Sequence, residues 1–534
     1  MTAKHIKETN KAGKKLGFNK KKTFFQSEAL ILVSSYLLIV LLKFVIAFQT
    51  NSLDLQSFYL LRIARSLFEK NLLAISDGLG STQVLTLPLT PALVKITYSL
   101  LKLLGLNVSL ISVGKALTIL LSTSIIFPSF KIAKLVSKDK TLALIIAVST
   151  GFSALFFSKT VVTVSAMSLA LPLALLFYYH FAKLQGLQAL KEGVKNERSK
   201  TLEKRFLKHY YCALASYVLL ALTSSFSMLV LFSILVYFVI AQGLGLKINK
   251  ASKELTIFLT IITVWGVIVF YKDLITSTGL SFLLNAKSRF NIASIASLNP
   301  FISLLFLHSA YISIARKKKQ GVLLTSVVIA MVVAYFSNIA TLADEYVLNM
   351  IAMLMLVSSS ISIIKIYNYL KLFRWRFASK AFIAVLVLVF LTTIIVPGFV
   401  QASLNVKNVS KLSNVLQGLT VLKPLPEGGV VCSPSLGFAV AYITGKKPVL
   451  DSNSLLNPWF KERFRDVKKI YSLRLETPAL ELLVKYNAKY IILSSLESSM
   501  FNVTRIAYTN DCVKLLKNDS SIKIYEARCI LNEG

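Results

Sequence analysis

The chain has 534 residues, of which 55% are hydrophobic and 16% charged, and its mean hydropathy is +0.66. Soluble domains run nearer about 45–50% apolar and about 25% charged, so an ordinary soluble fold is excluded. A net charge of +37 would point to nucleic acid in a soluble chain, but the placement of the charges excludes that partner here.

The first 28 residues hold eight lysines and no apolar core, and read as a basic cytoplasmic tail. The apolar run from Ala29 to Phe48 is long enough to span a bilayer and lacks a small-residue cleavage site after it. Further runs at 109–130, 141–157, 163–181, 211–226, 227–246, 255–271, 301–315, 321–338, 345–364 and 381–400 predict about 11 transmembrane helices in all. With the N-terminus inside, the inner segments carry 32 Lys and Arg and the outer segments before residue 401 carry nine. That asymmetry follows the positive-inside rule, so the charge surplus sets topology.

Residues 85–104 are apolar enough to cross, but a crossing there would put KIAKLVSKDK (131–140) outside. They are therefore predicted to lie in or on the outer face, within a long first external loop from 49 to 106. An odd number of spans places the C-terminus outside, as do the Asn-x-Ser/Thr tripeptides at Asn107, Asn408, Asn502 and Asn518. Strand-like runs at 428–434, 488–495 and 521–529, with a helical stretch at 476–487, predict a small α/β domain over 401–534. The expected organisation is a tail (1–28), a transmembrane domain (29–400) and this external domain (401–534). A bridge between Cys512 and Cys529 is open if that domain meets an oxidising exterior, isolated thiols being the commoner outcome.

The stretch DLQSFYLLRIARSLFEK (54–70) places Leu55, Phe58, Leu61, Ile63 and Leu67 mainly on one helical face, with Arg62, Arg65 and Glu69 around the rest. One reading is an amphipathic interfacial helix. The sharper one makes Asp54 a ligand for a divalent metal that neutralises a phosphate, with Arg62 or Arg65 clamping that phosphate. Asp77, Asp273 and the pair Asp344-Glu345 are the other external acids considered. Asp344 is a candidate replacement ligand, although acids also suit a helix N-terminus at the interface. His180 and His209 bracket an inner loop and His308 lies in a span; no two histidines have metal-ligand spacing.

The layout resembles the catalytic subunit of oligosaccharyltransferase (archaeal AglB, bacterial PglB), a C-type glycosyltransferase family. The features that carry the resemblance are the Asp54-to-Arg65 loop, residues 141–162 with Ser158-Lys159 where Arg-Ser is usual, GGVVCSPSLGFAVAYITGKKPVLDSN (428–453) in place of the WWDYG region, and ETPALELLVKYNAKYIILSS (476–495). It implies a polytopic membrane fold and transfer of a polyprenyl-phosphate-linked glycan to an external protein. It also implies Asp54 as catalytic and metal-binding, Arg62, Arg65 and Lys159 as phosphate-binding, and Mn or Mg as cofactor. Membrane lipids and other transferase subunits are the remaining partners it implies, with an archaeal source.

Chemistry-bearing positions depart from the family. Thr163–Ser168 and Ile292–Ser297 carry no acid, Ser433–Gly437 keeps only the glycine, and the family spacing to Arg62 falls on Gln56. Two functions therefore stay open: a transferase, or a catalytically inactive relative that binds the glycan lipid as an accessory subunit. A lipid-sugar transporter is a third, poorly served by nearly charge-free spans.

Overall fold

The computed structural model describes residues 28–50, 52–67, 75–77, 81–84, 89–191, 198–270, 299–337, 344–372, 376–452, 459–508 and 512–529. Asp273, residues 292–297 and the basic tail before Glu28 lie outside them, as do the side chains of Asp77, Asp344 and Glu345.

The first span is α1 (Glu28–Ala47). After it come α2 (Ser57–Ser66), the short hairpin of β1 (Ile75–Asp77) and β2 (Ser81–Val84), and α3 (Leu89–Leu103). The bundle continues with α4 (Leu110–Thr123), α5 (Ile126–Ser137), α6 (Lys140–Gly151), α7 (Ala154–Val162), α8 (Met167–Lys191), α9 (Arg198–Ala221), α10 (Phe226–Gly243) and α11 (Lys250–Phe270). It closes with α12 (Pro300–Ala315), α13 (Lys319–Phe336), α14 (Asp344–Leu372), α15 (Arg376–Phe390), a π-helical segment (Leu391–Ile395) and α16 (Val396–Leu419).

Among the described residues, eight helices are long and apolar enough to cross a membrane, or nine when α6 and α7, bent by 47° at a short break, count as one. The two other expected spans are α9, whose first half is basic, and the 16-residue α12. The sequence supplies the breaks. Ser109 caps α4 by accepting from the Ser112 N–H at 3.1 Å, and Asn299 caps α12 ahead of Pro300.

The expected inner loop at 131–140 is largely helix. The span that starts at Leu110 runs on to Ser137 and ends only where Lys138 adopts φ 61°. Asp139 then caps α6, accepting from Leu142 N–H at 2.8 Å. The basic residues of this stretch fit a helix because their stems stay near apolar surface while their charges find partners. Lys131 lies over the Tyr179 ring, and Lys134 reaches Glu28 at 3.2 Å.

The α3 helix has 15 residues, about 22 Å at 1.5 Å per residue, against a hydrocarbon core of about 30 Å. It packs on α2 and α4 and leaves Ile96, Leu100 and Leu103 exposed.

Helix α16 runs past residue 401 and delivers the chain into the α/β unit. This unit comprises β3 (Gly429–Val431), α17 (Pro434–Thr444), α18 (Phe460–Ser472), α19 (Glu476–Lys485), β4 (Ala488–Ser494), α20 (Ser495–Phe501), β5 (Val513–Asn518) and β6 (Ile522–Ala527). Strand order is β3-β4-β6-β5, with β3 and β4 parallel and the other pairs antiparallel.

Alternation along β4 sends Tyr490 and Ile492 to one face and Ile491 and Leu493 to the other. The first face packs with Leu416 and Leu419 of α16 and with Leu53, Phe58 and Leu61 of the α2 region. The second packs on Val467, Ile470, Leu480 and Leu483. A sheet covered on both faces explains why AKYIILS is almost uninterruptedly apolar. Cys512 and Cys529 are bonded to each other, correcting the expectation of isolated thiols for that pair; Cys212 and Cys432 are free.

Asp466 of α18 is buried and accepts from Lys485 Nζ and from the Tyr486 hydroxyl, both at 2.8 Å. Burial pushes its pKa up, and those two bonds outweigh it, so the carboxyl sits below its ordinary value. A depressed folded pKa contributes stability above the unfolded value, about 3.9, and loses it as pH falls further. Asp466→Asn is expected to lower Tm at pH 7, and the gap to the parent is expected to shrink towards pH 3. Thermal unfolding at the two pH values checks this.

Candidate functional site

The site is built where α1 ends. Its C-terminal carbonyls have no helical partners, and buried Lys115 of α4 supplies them, donating to Thr50 O at 2.6 Å and Ala47 O at 3.4 Å. A cation at a helix C-terminus also suits the dipole. The chain then turns so that Asp54 N–H donates to Val162 O at 3.2 Å, and the Asp54 carbonyl accepts from Ser57 N–H at 2.9 Å to start α2.

The Asp54 carboxylate accepts from the Thr163 hydroxyl at 3.3 Å. Ser57, fully buried, accepts from Val164 N–H at 2.9 Å. The 163–168 segment, which carries no acid, therefore sits directly against Asp54. Gly114 permits this closeness: a Cβ there would lie 3.1 Å from Leu61 and 3.3 Å from Val164 side-chain atoms.

Lys159, in the last turn of α7, brackets the same loop, its carbonyl accepting from Thr163 N–H at 3.0 Å. One residue on, Thr160 accepts from Lys43 Nζ at 2.8 Å. Lys43 is fully buried in α1, also donates to Ser122 at 2.9 Å, and lies 5.3 Å from the centres of the Phe156 and Phe157 rings.

The arginines are turned towards the α/β unit. Burial pulls Arg62 below its usual pKa, and Asp451 and Tyr59, the groups acting on it, push the other way. Arg65 donates from Nη1 to Tyr442 O at 3.1 Å and lies 6.0 Å from the Tyr442 ring centre. Ring contacts of 5.5 Å between Phe58 and Tyr442 and 4.8 Å between Tyr59 and Phe438 seal α2 against α17.

The Ser433–Gly437 segment is held by Glu497, a group the sequence reading passed over. Glu497 is fully buried, accepts at 2.9 Å from the N–H groups of Ser433 and Ser494, and accepts from both their hydroxyls. Ser494 and Glu497 form a capping box at the start of α20, and Ser-x-x-Glu was the signal available for it. Asp451, the charge facing Arg62, carried no comparable signal.

The sequence-predicted residues thus divide. The Asp54 carboxylate and the Lys159 carbonyl both bond to Thr163, whereas Arg62 and Arg65 engage Asp451 and Tyr442. The Asp344 carboxyl lies outside the described residues. Divalent cations of this kind need several oxygen ligands, usually with carboxylate charge. Among the described residues no group of three or more His, Cys, Asp or Glu gathers, and the side-chain donor on Asp54 is a hydroxyl. The described residues at Asp54 supply too few ligands to hold Mn or Mg by themselves, and no step is derived through one.

Comparison of the sequence with known protein families and with curated proteins finds no match. Solved structures do match. The oligosaccharyltransferase of Archaeoglobus fulgidus in its apo form aligns with a TM-score of 0.67 and 12% identity, over 95% of this chain and 75% of its own. AglB of the same organism, in complex with an inhibitory peptide and a dolichol-phosphate, aligns at 0.64 and 13% identity, over 87% of this chain and 70% of its own. A further structure of the Archaeoglobus enzyme, with Zn and sulfate, gives 0.58 and 14% identity, over 88% and 68%.

ArnT from Cupriavidus metallidurans, apo, gives 0.54 and 11% identity, over 92% and 97%. It is also known bound to undecaprenyl phosphate, at 0.54 and 12% over the same shares. The chain has the fold of the oligosaccharyltransferases and their C-type glycosyltransferase relatives.

Proposed function

We propose that this chain binds a polyprenyl-phosphate-linked glycan at the Asp54 site and transfers it to an acceptor, an external protein, outside the membrane. The observation that carries the reading is the Asp54 carboxylate, fixed between the exit of α1 and the Thr163 hydroxyl. It lies in a fold whose solved members include complexes with dolichol-phosphate and undecaprenyl phosphate. In the transfer, an acceptor N–H or O–H attacks the anomeric carbon and the new glycosidic bond forms. The bond to the phosphate oxygen breaks, its electron pair stays on the phosphate, and the acceptor proton passes to Asp54. Lys159 offsets the charge on the departing phosphate, while Arg65, bonded to the Tyr442 carbonyl, holds α2 against α17. Arg62, beside Asp451, positions α2 under the α/β unit.

The second reading, an inactive glycan-lipid-binding subunit, is favoured by the lack, among the described residues, of any group of three or more His, Cys, Asp or Glu that could hold a metal ion. Glycan transfer by the purified full chain, with lipid-linked glycan and a sequon peptide, separates the two. Transfer is the expected result; retention of the lipid-linked glycan without transfer would support the second reading. Lys159→Gln is expected to raise the donor KM about tenfold with a smaller change in kcat, as loss of one charge-assisted phosphate contact would. Steady-state kinetics in donor lipid checks it.

The α/β unit is proposed to face outside, with the basic tail inside. The Cys512–Cys529 bond supports this, because disulfides persist in oxidising compartments. In sealed right-side-out vesicles, a membrane-impermeant maleimide is expected to label these cysteines only after reduction. Labelling that needs a breached membrane would reverse the orientation.

A further inference from the structure

At the end of the bundle remote from α2, three helices bring a cluster of basic groups to one level. His180 of α8 and His209 of α9 touch, Nδ1 to Nδ1, at 2.8 Å. One nitrogen must donate and the other accept, so at least one ring is neutral. Tyr179 meets both rings edge-on, at 5.0 and 6.1 Å between centres, and Lys131 of α5 lies 5.6 Å from the centre of the Tyr179 ring.

Lys131 and Lys208 act electrostatically on both imidazoles, and Lys183 acts on His209. No carboxylate is among the charges acting on either ring in the described residues. Glu28, nearby on α1, is engaged by Lys134 and Lys140 instead.

The depth of the cluster matters. Lys131 lies six residues before the end of the span Leu110–Ser137, and His180 six before the end of Met167–Gly186. Helix α8 itself runs on to Lys191, so at 1.5 Å per residue Lys131 lies about 9 Å and His180 about 16 Å inside their helix ends. His180 is buried, whereas Lys131 and Lys208 are exposed. Lysines that only mark topology need not converge on one pair of rings from three helices. Basic pockets between transmembrane helices on this side of a membrane suit anionic headgroups.

We propose that Lys131, Lys183, Lys208 and the His180–His209 pair form a binding site for the phosphate of an anionic lipid headgroup. The lysines supply charge, and the paired imidazoles supply ring N–H groups for the phosphate oxygens. The site lies at the opposite end of the bundle from Asp54 and does not depend on the proposed transfer.

The test is native mass spectrometry of the full chain in detergent, titrated with phosphatidylglycerol, phosphatidylcholine and inorganic phosphate. The variant is Lys131→Gln with Lys208→Gln, both exposed positions. The control removes equal charge from the same end at exposed Lys250 and Lys253. One tightly retained phosphatidylglycerol is expected in the parent and the control, with at least tenfold weaker binding in the 131/208 variant. Phosphatidylcholine is expected not to replace it.

Retention that persists in millimolar inorganic phosphate assigns the site to a lipid headgroup. Displacement by inorganic phosphate, with binding of that ion on the same two lysines, assigns it to a free phosphate and overturns the lipid part of the proposal. Equal phosphatidylglycerol binding by the parent and the 131/208 variant, or equal weakening in the control, overturns the site altogether.

Discussion

Replacing Glu497 with Ala is expected to be the most damaging single substitution in the α/β unit, costing about 3–5 kcal/mol. The carboxyl group is fully buried and accepts four hydrogen bonds, two from backbone N–H groups and two from serine hydroxyls. Alanine would strand the Ser433 and Ser494 N–H groups away from water, and each such orphan costs about 1–3 kcal/mol. Glu497→Gln keeps the shape but puts a donor where donors already point, and is expected to cost about half as much. Urea unfolding of the purified chain, followed by fluorescence, measures both. Equal stability of Glu497→Ala and the parent would mean that water reaches these groups and that Glu497 does not pin the Ser433 segment.

The second large effect is expected at Gly437. A Cβ there would lie 2.4 Å from Leu450 O and 2.9 Å from Asp451 Cα, both backbone atoms that cannot rotate away. Gly437→Ala must push α17 off the 450–451 segment, at about 2–3 kcal/mol. The same displacement moves Asp451 away from Arg62 and disturbs the Tyr59–Phe438 contact, so function should fall with stability. Gly445→Ala, at a helix end with open space around the Cβ position but φ 74°, is expected to cost only about 1 kcal/mol of backbone strain. Unfolding curves for the two variants separate steric exclusion from simple loss of glycine.

Much of the fold could be read directly because membrane spans announce themselves by length. The 20-residue run at α1 and the basic loops that alternate with the others need no tertiary information. Strand β4 was equally plain, since burial on both faces leaves a continuous apolar run. Where a local pattern misled, a distant partner was the cause. Lys131 and Lys134 look like loop residues until Tyr179 and Glu28 are placed beside them. Strand β5 (VKLLKN) has one buried residue at its start and exposed or half-buried ones after it, so no alternation marks it.

The candidate site was legible in part for the same reason. Asp54 stood out as a carboxylate at a span exit, and the structure places Thr163 against it. Nothing near Arg62 in the sequence says that Asp451 faces it, because that pairing exists only once α17 and α2 pack. His180 and His209, 29 residues apart, lack the short spacing that marks a metal pair and meet only through the packing of α8 on α9. Glu497 had a local signature, the capping box, but its hold on Ser433 spans 64 residues.

Asp54 is proposed to touch the reacting groups. The most direct test is the rate of glycan transfer from lipid-linked donor to a sequon peptide by the purified full chain and by Asp54→Asn, compared at saturating donor. A positioned proton acceptor contributes about 10²–10⁴-fold, so a loss of that size in kcat, with unchanged Tm and unchanged donor binding, is the predicted result. Transfer by Asp54→Asn at the parent's rate would mean that Asp54 takes no proton from the acceptor.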